Sequence, residues 1–315
     1  MRLLSPAGLL ACLLILTACP ANADPPVEPT PATLPDVTVS APEPRYVAPT
    51  TRDRIGRIWA PVHIDGQGPY RLVLDTGASH SALTARVVEE LKIPVEPATV
   101  LLRGTTGSMV ADRVRAATLE VGELLVEDVS MPVVADAFGG ADGVLGAQGL
   151  RDKRIVIEFL RDRISIARSR RQLPPAGFER LPFRFHPARG MRVDLRVGSV
   201  RTIGVIDTGA QRTVGNLALR NALLRGRERR EVEESIIGIT QDVQQGTLLR
   251  VPPIAAGKLT IRSVGMTFTD LHIFELWELT ERPAVLIGMD VLGVLDTLII
   301  DYRRSELHLR TRGGA

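Results

Sequence analysis

The 315-residue chain has only two cysteines, Cys12 and Cys19, and both fall within its first twenty residues. The body that follows therefore has no disulfide, no thiol nucleophile and no thiolate ligand for a metal. Aromatic residues make up 4%, so the core must be packed from aliphatic side chains. The five histidines, His63, His80, His186, His272 and His308, are scattered. No His-Glu-x-x-His metal motif, Gly-x-Ser-x-Gly elbow, phosphate-cradling loop or dinucleotide fingerprint is present. The reading is of a chain with no metal and no cofactor. Charge of one sign is also lacking. The net charge is +3, spread along the chain, and nothing in it marks a nucleic-acid partner. The basic run from Arg225 to Arg230 is followed at once by Glu231, Glu233 and Glu234, which reads as a solvated, internally paired segment. With 44% hydrophobic and 24% charged residues, the composition excludes a wholly disordered chain, a collagen and a coiled coil.

The one apolar run, Leu9 to Leu16 after Arg2, is too short for a stable membrane-spanning helix and fits the apolar region of a secretory leader. Two processing sites compete within residues 1–23. Leu16-Thr17-Ala18-Cys19 matches a lipobox, in which Cys19 would carry lipid and become the mature N-terminus, although Pro20 directly after it is unusual. Ala21-Asn22-Ala23 is a small-x-small site for ordinary cleavage before Asp24. An uncleaved anchor is the third route. All three place the body outside the cytoplasmic membrane, in the periplasm or on a membrane as a lipoprotein. Residues 24–54 read as a Pro-rich linker, since nine of the chain's 22 prolines lie between positions 20 and 50. Such a composition buries no core and favours extended chain.

From about residue 55 to 312 the same pattern occurs twice. In the first copy Ala60-Pro61-Val62-His63-Ile64 precedes Tyr70-Arg71-Leu72-Val73-Leu74-Asp75-Thr76-Gly77-Ala78. In the second, Met191-Arg192-Val193-Asp194-Leu195 precedes Ile203-Gly204-Val205-Ile206-Asp207-Thr208-Gly209-Ala210. A short helix-like stretch follows each, Leu83 to Leu91 and Leu217 to Leu224. Further on, Gly143-Val144-Leu145-Gly146 matches Val285-Leu286-Ile287-Gly288, and each leads into a strand pair with a charged turn, Ile155 to Ile166 and Leu298 to Leu309. Period-two alternation makes those pairs hairpins. The interval from Asp to landmark Gly is 71 residues in one copy (75 to 146) and 81 in the other (207 to 288). Two landmarks in the same order point to two homologous, mostly β lobes, residues 55–170 and 183–312, joined by residues 171–182.

The chemistry lies in the doubled Asp-Thr-Gly. An apolar strand ending in Asp delivers a carboxylate to a rigid edge of the core. The glycine next but one is expected to allow a turn that other residues resist, and the threonine carries a hydroxyl able to bond inward. One such loop is an ordinary turn. Two, from equivalent lobes, can bring Asp75 and Asp207 face to face across one water. Carboxylates that close share a proton. The charged one can then take a proton from the water while the neutral one donates to a carbonyl, the two roles amide hydrolysis requires. No metal and no covalent intermediate are needed.

With Leu74 to Ala78, Ile206 to Ala210, Val144-Leu145-Gly146 and Leu286-Ile287-Gly288, the chain resembles the aspartic proteases, in particular bacterial retropepsin-like enzymes with two lobes in one chain. The resemblance spans nearly all of the body. It implies an all-β, bilobal acid-protease fold of the pepsin/retropepsin type, with two β-barrel-like lobes and short helices. It implies Asp75 and Asp207 as catalytic pair, with Thr76 and Thr208 exchanging hydrogen bonds between lobes, and Gly77 and Gly209 giving the tight turn and amide donors. It also implies substrate-binding flaps, placed at Gly104, Thr105, Thr106 and Gly107 and at Gly238, Ile239 and Thr240. His80 and Gln211-Arg212 depart from the pattern and read as solvated, while Trp277 with Leu271 to Leu279 reads as core or lobe interface. Two functions follow: an exported aspartic endopeptidase acting on polypeptides, or a catalytically silent peptide-binding or scaffold protein with the same cleft. Because both loops belong to one chain, a monomer is expected.

Overall fold

The computed structural model describes residues 39–40, 46–49, 51–52, 57–121, 124–136, 139–148, 150, 152–161, 163–186, 189–225 and 232–311. The segment read as a leader, with Cys12 and Cys19, and the basic run after Arg225 lie outside them. No helix among the described residues is long and apolar enough to cross a membrane.

The duplicated sequence folds as a duplicated topology. In the first lobe the strand ending at Asp75, Gln67–Leu74, runs antiparallel to Ile58–Ile64 and parallel to the landmark strand Gly143–Leu145. The landmark strand pairs antiparallel with Ala82–Thr84, which lies parallel to the end of Leu124–Val134. The second lobe repeats this arrangement. Val200–Ile206 runs antiparallel to Gly190–Val197 and parallel to Ala284–Ile287, which pairs antiparallel with Val214–Gly215, and that strand lies parallel to Gly265–Phe268. In both lobes the landmark strand is wedged into the sheet between segments that precede it in sequence. Buried on both sides, it must be apolar throughout, as Val144-Leu145 and Val285-Leu286-Ile287 are. The first-lobe sheet closes into a barrel because Arg113–Val121 pairs with both Leu124–Val134 and Ile58–Ile64. The architecture is all-β and bilobal, as expected.

Four short α-helices occur among the described residues: α1 (Ala85–Leu91), α2 (Leu217–Leu224), α3 (His272–Leu276) and α4 (Met289–Leu292). α1 and α2 hold equivalent places, each shortly after its Asp-Thr-Gly loop. Asn216 caps α2, its side chain accepting from the Leu219 amide at 2.9 Å. Among the described residues α3 has no counterpart in the first lobe.

The two hairpins after the landmarks do not stay within their lobes. Lys153–Glu158 of the first pairs antiparallel with Leu295–Asp301 of the second, aligning Ile155 with Ile300 and Ile157 with Leu298. With Arg163–Arg168, Glu306–Thr311 and Glu179–His186 they build one sheet spanning both lobes. A polar knot is buried at its centre: Asp301, fully buried, accepts from Arg154 at 3.1 Å and from the Ser169 hydroxyl at 2.7 Å.

Two segments read as connections carry strands. Within 24–54, Val39–Ser40, Tyr46–Pro49 and Thr51–Arg52 pair with Leu124–Val134, Arg163–Arg168 and Ile58–Ile64. The inter-lobe connection 171–182 overlaps the strand that begins at Glu179. Edge pairing uses backbone groups and asks little of side chains. A proline such as Pro49 is tolerated on an outer strand, where no amide is needed, so composition alone does not reveal these strands.

Candidate active site

Each Asp-Thr-Gly loop is pinned by its own landmark strand. The Asp75 amide donates to the Leu145 carbonyl at 3.0 Å and the Asp207 amide to that of Ile287 at 3.1 Å. Below the loops, Ala147 donates to the Ala78 carbonyl and Met289 to that of Ala210, both at 2.9 Å. The landmark glycines sit where the chain after the motif crosses. A side chain at Gly146 would overlap the His80 backbone, and one at Gly288 would lie 2.6 Å from the Arg212 carbonyl oxygen.

The loops of the two lobes meet through the threonines. The Thr76 amide donates to the Thr208 hydroxyl at 3.0 Å, and the Thr208 amide to the Thr76 hydroxyl at 3.1 Å. Each hydroxyl donates onward to the other lobe, Thr76 to the Ile206 carbonyl at 3.0 Å and Thr208 to the Leu74 carbonyl at 2.7 Å. Both residues are buried, so four inter-lobe bonds form away from water.

This grip sets the Asp207 carboxylate against Gly77 and the Asp75 carboxylate against Gly209. Asp75 Oδ1 accepts from the amides of Gly77 (2.7 Å) and Ala78 (2.9 Å), and Asp207 Oδ1 from those of Gly209 and Ala210 (both 2.9 Å). One correction to the sequence reading follows. Neither Gly77 nor Gly209 has the positive φ that would demand glycine. Glycine is required because the opposite carboxylate fills the space. A Cβ on Gly77 would lie 2.8 Å from the Asp207 carboxyl carbon, and one on Gly209 would overlap the Asp75 carboxylate.

The two carboxyls are not equivalent. Burial raises the pKa of Asp75, against which the Ala78 and Gly77 amides and the charge of Arg57 pull down. Asp207 is buried and pushed well above the ordinary range, first by desolvation and then by the charge of Asp75. Beneath the pair the Tyr302 hydroxyl is buried without a partner, its pKa raised by burial and by Asp75.

The two segments read as flaps meet at their tips. Gly104–Gly107 is the tip of the hairpin Val100–Arg103/Ser108–Ala111, and Gly238–Asp242 the tip of Val232–Ile237/Val243–Arg250. The Gly238 amide donates to the Thr106 hydroxyl at 3.1 Å, and the Thr106 and Thr240 hydroxyls lie 3.3 Å apart. The first tip also docks on α3, with the Ile273 amide donating to the Thr105 carbonyl at 3.2 Å and Ser108 Oγ 2.8 Å from His272 Nε2. Gln211 and Arg212 are exposed, as read. His80 is half-buried, its Nδ1 3.0 Å from Ser79 Oγ, and Trp277 is core. Among the described residues no group of three or more His, Cys, Asp or Glu could hold a metal ion.

Sequence reasoning missed the supports Ser81 and Thr213, whose hydroxyls accept from the landmark amides of Gly146 (3.2 Å) and Gly288 (3.1 Å). Their signal was available, since each is a hydroxyl residue at the same offset from its Asp. The docking role of α3 carried no such signal, because among the described residues one copy alone has it.

Residues 60–148 match the family described as aspartyl protease. No curated protein sequence matches the chain. Among solved structures, an aspartic proteinase from Irpex lacteus superposes with a TM-score of 0.55 at 16% identity, covering 86% of this chain and 98% of that one. The fold is that of the pepsin/retropepsin clan.

Proposed function

We propose that the protein is an exported aspartic endopeptidase that hydrolyses polypeptides with a water activated between Asp75 and Asp207. The observation carrying this reading is the mutual fit of the two loops. Each carboxylate occupies the space left by the other lobe's glycine, and each is oriented by two amides. Asp207, more deeply desolvated, holds the shared proton, and Asp75 is the base. The water's proton passes to Asp75 as its oxygen attacks the peptide carbon, while Asp207 donates to the carbonyl oxygen. The tetrahedral diol then collapses: one of its hydroxyls returns a proton to Asp207, the C–N bond breaks, and the amine leaves with the proton held by Asp75. Flap closure would exclude bulk water and align the peptide backbone.

The intact Asp, Thr and Gly of both loops favour an enzyme over a silent binding protein. We place the protein in the periplasm or on a membrane through Cys19, according to which leader site is cut, and read it as a monomer because one chain supplies both loops. The test incubates the purified protein with a diverse peptide mixture, beside Asp75→Asn and Asp207→Asn. Cleavage by the wild type, lost in each variant with folding intact, is expected. Cleavage that survives in either variant would move the chemistry elsewhere.

A further inference from the structure

The sheet that joins the lobes has one apolar and one polar face. Leu307 and Leu309 lie on the apolar side with Ile300, Leu298, Ile155 and Ile157. Glu306, His308 and Arg310 alternate with them and lie on the other side. Arg180 stands opposite His308 on one neighbouring strand, and Asp301 opposite Glu306 on the other. Arg154, opposite Asp301 on the first lobe's strand, completes the row. Within this charged row His308 has no exposed surface.

Glu306 fixes which ring nitrogen of His308 carries the hydrogen. Its carboxylate accepts from Arg180 and twice from Arg304. The bond from Arg304 is the main reason its pKa is held down to about 2, so Glu306 acts as an acceptor only. His308 Nε2 lies 3.0 Å from Glu306 Oε2 and therefore bears the hydrogen. Nδ1 is then a lone pair, buried without a partner. An unmet acceptor on a neutral ring costs little beside what a second proton would bring, an N–H with no acceptor and a charge with no water. The surroundings do not welcome that charge. Three arginines, Arg154, Arg180 and Arg304, already face two carboxylates, Asp301 and Glu306. Arg310, two residues along, is matched by Asp296 at 2.6 Å. Desolvation first, and then the charge of Arg154, lower the pKa of His308 against the pull of Glu306 and Asp301.

The same cluster ties the lobes together. Arg154 of the first lobe and the Ser169 hydroxyl both donate to Asp301 of the second, and the Arg171 carbonyl accepts from Arg304 at 2.8 Å. We infer that His308 is an acid-sensitive pin in the joint between the lobes. Neutral, it completes the row. Protonated, it drives Leu295–Asp301 and Glu306–Thr311 away from Lys153–Glu158. The folded protein takes up this proton less readily than the unfolded chain. The stability it confers is therefore complete above about pH 6.5 and is lost as pH falls below that value toward the folded pKa. One such proton changes the folding constant by up to about tenfold per pH unit. The consequence for Asp75 and Asp207, which need the lobes in register, rests on the peptidase reading above.

The test follows hydrogen exchange of the full chain by mass spectrometry at about pH 8 and about pH 5, with intrinsic rates divided out. Opening of Lys153–Glu158, Leu295–Asp301 and Glu306–Thr311 should rise about tenfold on acidification relative to Ala284–Ile287. His308→Gln keeps a donor for Glu306 and takes no proton, so it should remove that excess, the other four histidines being common to both proteins. The wild-type measurement decides alone if the variant folds poorly. Acidification that opens all these strands alike, or an excess that persists in a folded Gln variant, overturns the inference whatever a peptide assay shows. Peptide hydrolysis is read in parallel. An acid limb of kcat/KM that moves toward acid in the Gln variant supports the link to the carboxylates, and an unmoved limb overturns that link. A chain that opens as stated yet cleaves no peptide keeps the pin and overturns the peptidase reading.

Discussion

Replacing Thr76 with Val tests whether the inter-lobe grip holds the carboxylates in register. Valine keeps the branched shape and removes one hydroxyl. That hydroxyl accepts from the Thr208 amide and donates to the Ile206 carbonyl, so the substitution strands two groups in a region closed to water. At about 1–3 kcal/mol for each buried group left unpaired, the loss is about 2–6 kcal/mol, a large share of the roughly 5–15 kcal/mol that stabilises a domain. Thr76→Ser keeps both bonds and gives up one methyl, for about 0.8 kcal/mol. Denaturant melts of wild type, Thr76→Val and Thr76→Ser, with peptide hydrolysis measured on each, supply the comparison. The Val variant should be far less stable than the Ser variant. Its kcat should fall more than its KM changes, since a small displacement between reacting groups is enough to lose about a hundredfold. A Val variant within 0.5 kcal/mol (an order-of-magnitude threshold) of the Ser variant, or one with unaltered kcat, would refute the reasoning.

Asp207→Asn should stabilise the protein at neutral pH. The folded state holds Asp207's pKa above its unfolded value, so wild-type stability falls as pH rises from the ordinary carboxylate range through the raised pKa, at up to about 1.4 kcal/mol per pH unit. The Asn variant escapes that loss, and denaturation midpoints at acid and neutral pH that ran parallel for the two proteins would contradict it. Gly209→Ala should nearly abolish hydrolysis by driving a methyl into the Asp75 carboxylate, at about 1–3 kcal/mol of stability. Gly265→Ala, whose new methyl meets only ordinary contact at 3.4 Å, serves as the comparison, and equal effects would discount the steric argument. The pH profile of kcat/KM should be bell-shaped, because one carboxyl must be ionised and one protonated. It should centre above the ordinary carboxylate range, because burial raises both pKa values. Ala78→Ser, adding a hydroxyl donor beside Asp75, should shift it toward acid, and a strongly acidic wild-type optimum or an unmoved Ser profile would count against this.

The doubled Asp-Thr-Gly, the landmarks and the hairpins were legible in the sequence because each is local. An apolar run ending in a carboxylate, or an alternation around a charged turn, is set by neighbours along the chain. The repeat added one non-local fact, that two equivalent loops exist to be paired. The joining of the hairpins into one inter-lobe sheet was not legible, since Ile155 and Ile300 show alternation but not partnership. The strands before residue 55 were hidden because edge pairing spends backbone bonds rather than side chains. The role of Gly77 and Gly209 was legible in identity but not in cause. Sequence indicates a residue without a side chain, and only the approach of the other lobe's carboxylate shows that space, rather than φ, requires it. The longer interval between Asp and landmark glycine in the second copy was visible in the sequence only as a number. What those added residues cover depends on contacts between elements far apart in the chain, and tertiary structure alone decides that.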